Sequence, residues 1–303
     1  NGDDGLRQRG VNDGRGQPYN TPLYDRFVSN LQRQVLFDES DARDSLPKAE
    51  AARRKIALFN SEINVRAHVA DLTPGNIYDL LADADILLDA TDNFETRYLL
   101  NDYALEQRTP WIYSAAIGAY AVTMNVLPQE TACLACMFPQ PPGGIVETCD
   151  TAGILNTAVN LAASIAVTEA LKFLTGSQEK MRRTLLSCDL WNHEWTEISA
   201  ATPRAGCQSC ENLDFRHLRG EGRPHITLCG RNSVQIHEHG RPVDFAELQA
   251  RLQSHGEVRF NQLLLRFTRG EHTLTVFADG RAIIQGTTDP GLARSLYARY
   301  IGS

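Results

Sequence analysis

Two Cys-x-x-Cys pairs are the residues whose types and spacing point most directly to chemistry. They are Cys133-Leu-Ala-Cys136 and Cys207-Gln-Ser-Cys210. Four thiolates arranged as two short-range pairs can surround one zinc ion, and a zinc site with all four positions filled is structural. Disulfide bonds are the alternative. The seven cysteines are odd in number and the sequence shows no signal-peptide pattern, which favours a reducing compartment and hence the zinc site.

A second candidate site follows the short apolar run Ile86-Leu-Leu-Asp89, which predicts a buried parallel strand. Asp92 and Asn93 come directly after this strand, and open α/β sheets bind ligands at the carboxyl ends of their strands. Asp92 can hold Mg²⁺ together with substrate phosphates. Alternatively, Thr91 or Asp92 caps the helix that runs through Asn101. The two roles are compatible.

A third candidate site is the polar segment Ser29-Asn-Leu-Gln-Arg-Gln34 and the helix start at Lys48. Helix N-termini attract anions, and a lysine there adds a charge that reaches phosphate. The planar fork of Arg33 suits phosphate, and Asn30 can act as a polar clamp. The alternative is a solvated loop beside a solvated helix start.

Cys149 stands apart from both cysteine pairs, in a loop that precedes a long helix. A thiol at a helix N-terminus has a lowered pKa and is nucleophilic. The alternative is a small buried residue.

Composition limits the remaining classes of function. A chain of 303 residues can hold two domains, and a net charge of −7 argues against a nucleic-acid surface. The segment 152–174 is apolar enough to be tested as a membrane span. The interrupting polar residues are Asn156, Asn160, Glu169 and Lys172, so we predict a buried helix and a cytosolic protein.

Strands alternate with helices up to the second cysteine pair, which predicts an α/β fold with a mainly parallel sheet. The predicted elements are a helix over 48–60 with Ala49, Ala52, Ile56 and Phe59 on one face, strands at 63–67, 86–89, 111–113 and 121–127, the helix 152–174, and a hairpin of 184–190 with 194–198. Residues 1–24 contain almost nothing apolar, and we expect them to be disordered or aberrant.

A smaller α+β domain is predicted over 213–303. Its expected elements are a strand over 225–236 interrupted by Gly230, a helix capped by Asp244 with Phe245, Leu248 and Leu252 inward, strands at 263–267, 274–277 and 282–284, and a last helix from Asp289-Pro290 with Leu292, Leu296 and Tyr300 on one side. We find no motif in it that carries chemistry.

Taken together, these motifs resemble the ThiF/MoeB/HesA family, relatives of ubiquitin-activating enzymes that adenylate sulfur-carrier proteins. The resemblance runs from about Asp25 through Cys210, within a domain predicted over 25–212, and it rests on the order of six segments. They are Ser29–Gln34, Leu46-Pro-Lys48, Asp89–Asn93 with Arg97, the first cysteine pair, Cys149-Asp-Thr-Ala-Gly153 and the second cysteine pair. It implies a Rossmann-like adenylyltransferase domain. Within the family, the chain most resembles the ThiF-type enzymes of thiamin biosynthesis.

The resemblance also implies a reaction in which ATP and the carboxylate of a ubiquitin-like sulfur carrier give an acyl-adenylate and pyrophosphate. By position, the residues that would bind ATP and Mg²⁺ are Asp25, Asn30, Arg33, Gln34, Lys48, Asp92 and Asn93. Arg33, Lys48 and Asp92 would be catalytic, and Cys149 would receive the carrier or its sulfur. The family pattern further implies structural zinc, a homodimer and a sulfur-donor protein.

One part of the family pattern is not found. The family begins with a strand, a Gly-x-Gly-x-x-Gly loop and a helix, and the residues before Asp25 contain no apolar run that could form that strand. The sheet is therefore expected to be N-terminally incomplete. Three hypotheses follow: a carrier adenylyltransferase, a non-catalytic zinc-stabilised module that binds a ubiquitin-like carrier, and a dinucleotide-dependent oxidoreductase. The third is weakest because the Gly-rich fingerprint is not found.

Overall fold

The computed structural model describes residues 36–38, 40–41, 44, 46–140, 153–221, 226–228, 232–236 and 242–302. These residues fall into two compact units. Within the described part of the chain, the first unit comprises 72–221 and the second combines 36–71 with 226–302. The helix that begins at Lys48 therefore belongs to the second unit.

The first unit contains a five-stranded sheet in the order β1-β2-β3-β4-β5. Its strands are β1 (Leu87–Leu88), β2 (Trp111–Ile117), β3 (Tyr120–Val126), β4 (Thr184–Asp189) and β5 (Glu194–Ser199). β1 runs parallel to β2, with Leu87 beside Trp111, and the other neighbours are antiparallel. The predicted α/β class and the β4–β5 hairpin are confirmed. Fewer of the described strands are parallel than the sequence indicated.

Within the described residues of this unit, four α-helices accompany the sheet. They are α2 (Ile77–Leu81), α3 (Phe94–Gln107), α4 (Leu134–Met137) and α5 (Asn156–Leu174). α5 packs across β2 and β3 through a line of small side chains, of which Ala158, Ala162 and Ala166 are buried. On the other side of β2, α3 shares a core with Trp111 and Met124, both fully buried.

The second unit contains a six-stranded antiparallel sheet in the order β6-β7-β11-β10-β9-β8. The strands are β6 (Ile226–Leu228), β7 (Ser233–Ile236), β8 (Glu257–Phe260), β9 (Leu264–Arg269), β10 (His272–Phe277) and β11 (Ala282–Gln285). The helices are α1 (Lys48–Phe59), α6 (Phe245–Leu252) and α7 (Pro290–Tyr300). Asp244 and Asp289 cap α6 and α7 with their side chains, as the sequence predicted for Asp244.

Three expectations for single elements are wrong. Residues 63–67 form no strand, and Ile63 is exposed, because no described segment supplies a pairing partner there. On α1 the buried residue is Ala51, whereas Phe59 is 80% exposed. On α7 the expectation is wrong for Leu292, which is 40% exposed, but Tyr300 is buried as predicted and Leu296 packs against the core. Ala293 and Tyr297 are also buried there. β8 was not predicted at all.

α5 is the one helix within the described ranges that is long and apolar enough to cross a membrane by length and composition. Core helices of soluble proteins meet the same criterion. Here the helix buries Glu169, whose carboxylate accepts hydrogen bonds from Asn125 (2.6 Å) and the backbone N–H of Arg182 (2.9 Å). The packed inner face agrees with the expectation of a helix buried against the sheet.

Candidate functional site

The four paired cysteines converge in the first unit, as their spacing predicted. Cys133 precedes α4 and Cys136 lies within it, whereas Cys207 and Cys210 lie in a turned segment after β5. The Sγ–Sγ distances are 3.7 Å between Cys133 and Cys136, 3.6 Å between Cys133 and Cys207, and 3.4 Å between Cys136 and Cys210. All four sulfur atoms lie within 4.8 Å of one another.

These distances fit a tetrahedral metal ion and exclude disulfide bonds. With zinc–sulfur bonds of about 2.3 Å, the edges of a sulfur tetrahedron are about 3.8 Å. A disulfide would require about 2.05 Å, and the cysteines are free. The backbone N–H of Arg204 donates to Cys136 Sγ at 3.3 Å. Such a bond stabilises a thiolate rather than a thiol.

The cluster needs a cation if all four sulfurs are to be ionised. Hydrogen bonding from Cys133 lowers the pKa of Cys207 to about 6 and that of Cys136 well below its usual range. Hydrogen bonding among the same sulfurs raises the pKa of Cys133. Four thiolates in a buried cluster repel one another, so a dication is what allows them to ionise together.

The second candidate site lies at the carboxyl end of β1. Asp92 and Asn93 are both exposed there, immediately before α3. The Asn93 side chain accepts the N–H of Thr96 at 2.8 Å and caps the helix. The sequence had offered Thr91 or Asp92 as the cap. Because Asn93 takes that role, the Asp92 carboxylate is available to a ligand, with one long hydrogen bond of 3.5 Å from Asn93.

A buried ion pair between Asp89 and Arg97 stabilises the loop that follows β1. The buried Asp89 accepts the backbone N–H and the hydroxyl of Thr91 at 2.8 and 2.7 Å, and Arg97 Nε lies 3.2 Å from its other oxygen. Arg97 also donates to the Thr91 carbonyl at 2.5 Å. Burial raises the pKa of Asp89, and the charge of Arg97 opposes that shift. No role was predicted for Asp89 or Arg97 from the sequence. An aspartate at the end of a strand and an arginine in the first turns of the following helix can nevertheless be predicted to form an ion pair.

Replacing Arg97 by Met should cost about 3–5 kcal/mol of folding free energy, because it leaves a buried carboxylate without its partner. The side chain of Asp89 is 0% exposed. Urea unfolding at neutral pH measures the loss. Adding Asp89→Asn to the Arg97→Met variant should recover part of it, since the uncompensated charge is then gone. A double variant less stable than Arg97→Met would contradict this account.

The remaining candidate residues lie in the second unit or outside the described residues. Lys48 is exposed at the start of α1 in the second unit, whereas Asp92 belongs to the first. The other candidates lie outside the described residues: Asp25, Asn30, Arg33, Gln34 and Cys149. Their roles in ATP binding and sulfur transfer stay predictions.

The sequence of this chain is similar to those of known proteins. The model of the ThiF family matches residues 27–209. The sulfur carrier protein ThiS adenylyltransferase of Bacillus subtilis (strain 168) is 42% identical over 279 residues, which is 90% of this chain and 82% of that protein. The sulfur carrier protein adenylyltransferase of Thermus thermophilus is 36% identical over 190 residues, covering 60% of this chain and 69% of that protein.

Other similar proteins are matched over about half their length. The chain covers 50% of the probable adenylyltransferase/sulfurtransferase MoeZ of Mycobacterium tuberculosis, at 34% identity over 197 residues. Among solved structures, Escherichia coli MccB has a TM-score of 0.51 at 22% identity, with 61% of this chain and 55% of that chain aligned. At that identity the structural likeness shows the fold alone.

Proposed function

The chain belongs to the ThiF family, and from that membership we propose that it adenylates the C-terminal glycine of a ubiquitin-like sulfur-carrier protein. The observation that carries the proposal is the 42% identity to a ThiS adenylyltransferase over 90% of the chain. The carrier would belong to the thiamin or the molybdopterin pathway, as the resemblance to the ThiF/MoeB/HesA family implies. The protein would act in the cytosol.

The proposed reaction joins the carrier to AMP. A carboxylate oxygen of the carrier attacks the α-phosphorus of ATP, a new phosphorus–oxygen bond forms, and the bond to the β-phosphate oxygen breaks as pyrophosphate leaves. Such transfers depend mainly on positioning and on neutralising charge. Mg²⁺ would supply charge neutralisation at the phosphates, with Asp92 as its protein ligand. Asn30, Arg33 and Lys48 would bind phosphate oxygens, with Asp25, Gln34 and Asn93 contributing to nucleotide binding.

The exposed loop after β1 supports the placement of Asp92. Asp92 is exposed at the carboxyl end of a parallel strand, which is where open α/β sheets bind ligands, and the Asp89–Arg97 pair holds the neighbouring Thr91. Carrier-dependent exchange between ATP and labelled pyrophosphate tests the activity. Exchange that requires a carrier with an intact C-terminal glycine is the expected result. Carrier binding without exchange would favour the alternative, a non-catalytic zinc-stabilised module.

The four-cysteine cluster would hold zinc as a structural ion. The donor set is soft, the sulfur spacing is tetrahedral, and all four positions would be filled by protein. Zinc would therefore stabilise the first unit without entering the reaction.

Cys149 is proposed as the thiol that receives the carrier or its sulfur. A partner sulfur-donor protein would supply that sulfur. Replacing Cys149 by Ala should leave ATP–pyrophosphate exchange intact and abolish transfer of sulfur to the carrier. Mass spectrometry of the carrier, before and after incubation with a sulfur donor, measures the transfer. Loss of exchange as well would show that Cys149 acts before or during adenylation.

A homodimer through the outer face of α5 is also proposed. Val167, Leu171 and Leu174 lie there, each at least 50% exposed, and they continue a line through Ala163 at intervals of three or four residues. An uncharged stripe along a 19-residue helix suits a self-complementary contact with a second copy. Leu171→Glu should yield monomers in sedimentation experiments. Leu292→Glu, at an exposed position on α7, is the control and should leave the oligomeric state unchanged.

A further inference from the structure

Helix α3 carries two adjacent polar residues that are completely buried. Asn101 and Asp102 are each 0% exposed. Each keeps one side-chain polar atom, Nδ2 of Asn101 and Oδ1 of Asp102, without a partner within the described ranges. A buried polar atom without a hydrogen bond costs about 1–3 kcal/mol. The other hydrogen bonds of these two side chains must offset that cost.

Asn101 and Asp102 accept hydrogen bonds from the two chain segments that contain or follow the cysteine pairs. Asn101 Oδ1 accepts the backbone N–H of Leu134 at 2.8 Å, and Leu134 lies inside the first Cys-x-x-Cys turn. Asp102 Oδ2 accepts the backbone N–H of His217 at 2.9 Å, in the segment that follows the second pair.

A third residue on the same face of α3 extends this contact. The Tyr98 hydroxyl donates to the carbonyl of Phe138, two residues beyond Cys136, at 2.6 Å. Its ring stacks on that of His217 with centroids 5.0 Å apart and planes 15° apart. The inner face of α3 thus contacts the chain on both sides of the cluster.

We propose that Asn101 and Asp102 are positioning residues of the four-cysteine metal centre. Asn101 holds the first Cys-x-x-Cys turn at Leu134, and Asp102 holds the segment that follows the second turn at His217, so that the sulfurs keep tetrahedral spacing. The two turns are far apart in the chain, with Cys207 lying 74 positions after Cys133. One rigid helix that binds the first turn and the segment after the second turn fixes their separation before the metal binds. This inference rests on the proposed metal-binding role of the cluster.

The test removes the two acceptors one at a time in the full chain. Asn101→Leu and Asp102→Leu keep similar size but cannot accept the N–H groups. Each should weaken zinc binding about 10–100-fold, the usual effect of losing an outer-shell partner. Competition with a chromophoric chelator measures the affinity. Cobalt substitution should also show altered thiolate-to-metal absorption bands, a signature of changed ligand geometry.

Two controls separate positioning from general destabilisation. Asp102→Asn retains an oxygen acceptor and should bind zinc as the unmodified chain does. Asn125→Leu removes a comparably buried amide that donates to Glu169 and to the Arg182 carbonyl, neither of which lies in a Cys-x-x-Cys turn. It should lower the stability of the fold yet leave zinc affinity and the cobalt spectrum unchanged.

The outcomes distinguish this inference from the proposal on which it rests. An unmodified chain that binds no zinc would overturn the metal site itself. An unmodified chain that binds zinc, with both Leu variants binding equally well, would overturn the positioning role alone. Equal weakening by Asn125→Leu would also overturn it. If the Leu variants do not fold, Asn101→Ser and Asp102→Ser, whose side chains are too short to reach the same N–H groups, carry the same expectation.

Discussion

Replacing Cys136 by Ser should eliminate tight zinc binding and destabilise the first unit. A hydroxyl is a poor zinc ligand, and binding of structural zinc contributes about 10–16 kcal/mol in small domains that fold only with the metal. The first unit has its own apolar core, so we expect only part of that free energy to be lost. A loss of about 5 kcal/mol would lower the melting temperature by about 10–20 °C.

Cys188→Ser is the matched control for this experiment. Cys188 lies on β4 and is completely buried, but it is not part of the four-cysteine cluster. Its replacement buries an extra hydroxyl, which costs about 1–3 kcal/mol. Zinc content should therefore stay at one ion per chain in Cys188→Ser and fall sharply in Cys136→Ser. Equal zinc content in the two variants would contradict the assignment of the cluster.

Replacing Asp92 by Ala should reduce carrier-dependent ATP–pyrophosphate exchange by at least about 10²–10³-fold, the scale typical of losing one electrostatic contact to a transition state. The fold should be unaffected, since the side chain is exposed and makes only a weak contact of 3.5 Å with Asn93 among the described residues. Exchange rates, zinc content and the urea midpoint of the variant test these three expectations together.

The control for Asp92 lies at the opposite end of the same strand. Asp85 is an exposed aspartate just before β1, at the amino end, where α/β sheets do not bind ligands. Asp85→Ala removes the same charge from the same unit and should keep full exchange activity. A fully active Asp92→Ala variant would refute the role of Asp92, whereas equal losses in both variants would point to a general effect of charge.

Predictions that depend on local sequence agree best with the structure. The helix that begins at Asp244 has the predicted cap, and its predicted inner residues Phe245, Leu248 and Leu252 are buried. The β4–β5 hairpin and the start of α7 also follow the sequence pattern. Caps and turns are set by residues within three or four positions of one another, so the sequence contains the whole interaction.

Predictions that need a distant partner agree less well. The alternating pattern at 63–67 is typical of a strand, but a strand requires a neighbour with which to pair, and none is described there. The face of α1 that looked apolar leaves Phe59 exposed for the same reason. Periodicity shows which side chains share a face; it does not show whether another element covers that face.

The sequence by itself determined which atoms are available for chemistry in this protein. The two cysteine pairs supply four thiolates, and the segment after the run Ile86–Asp89 supplies a carboxylate at Asp92. Tertiary structure alone decided how these groups are held. Asp89 meets Arg97 across a strand–helix junction, while Asn101 contacts a residue 33 positions away and Asp102 one 115 positions away. Such contacts depend on how the helices and strands pack, and no local pattern encodes that packing.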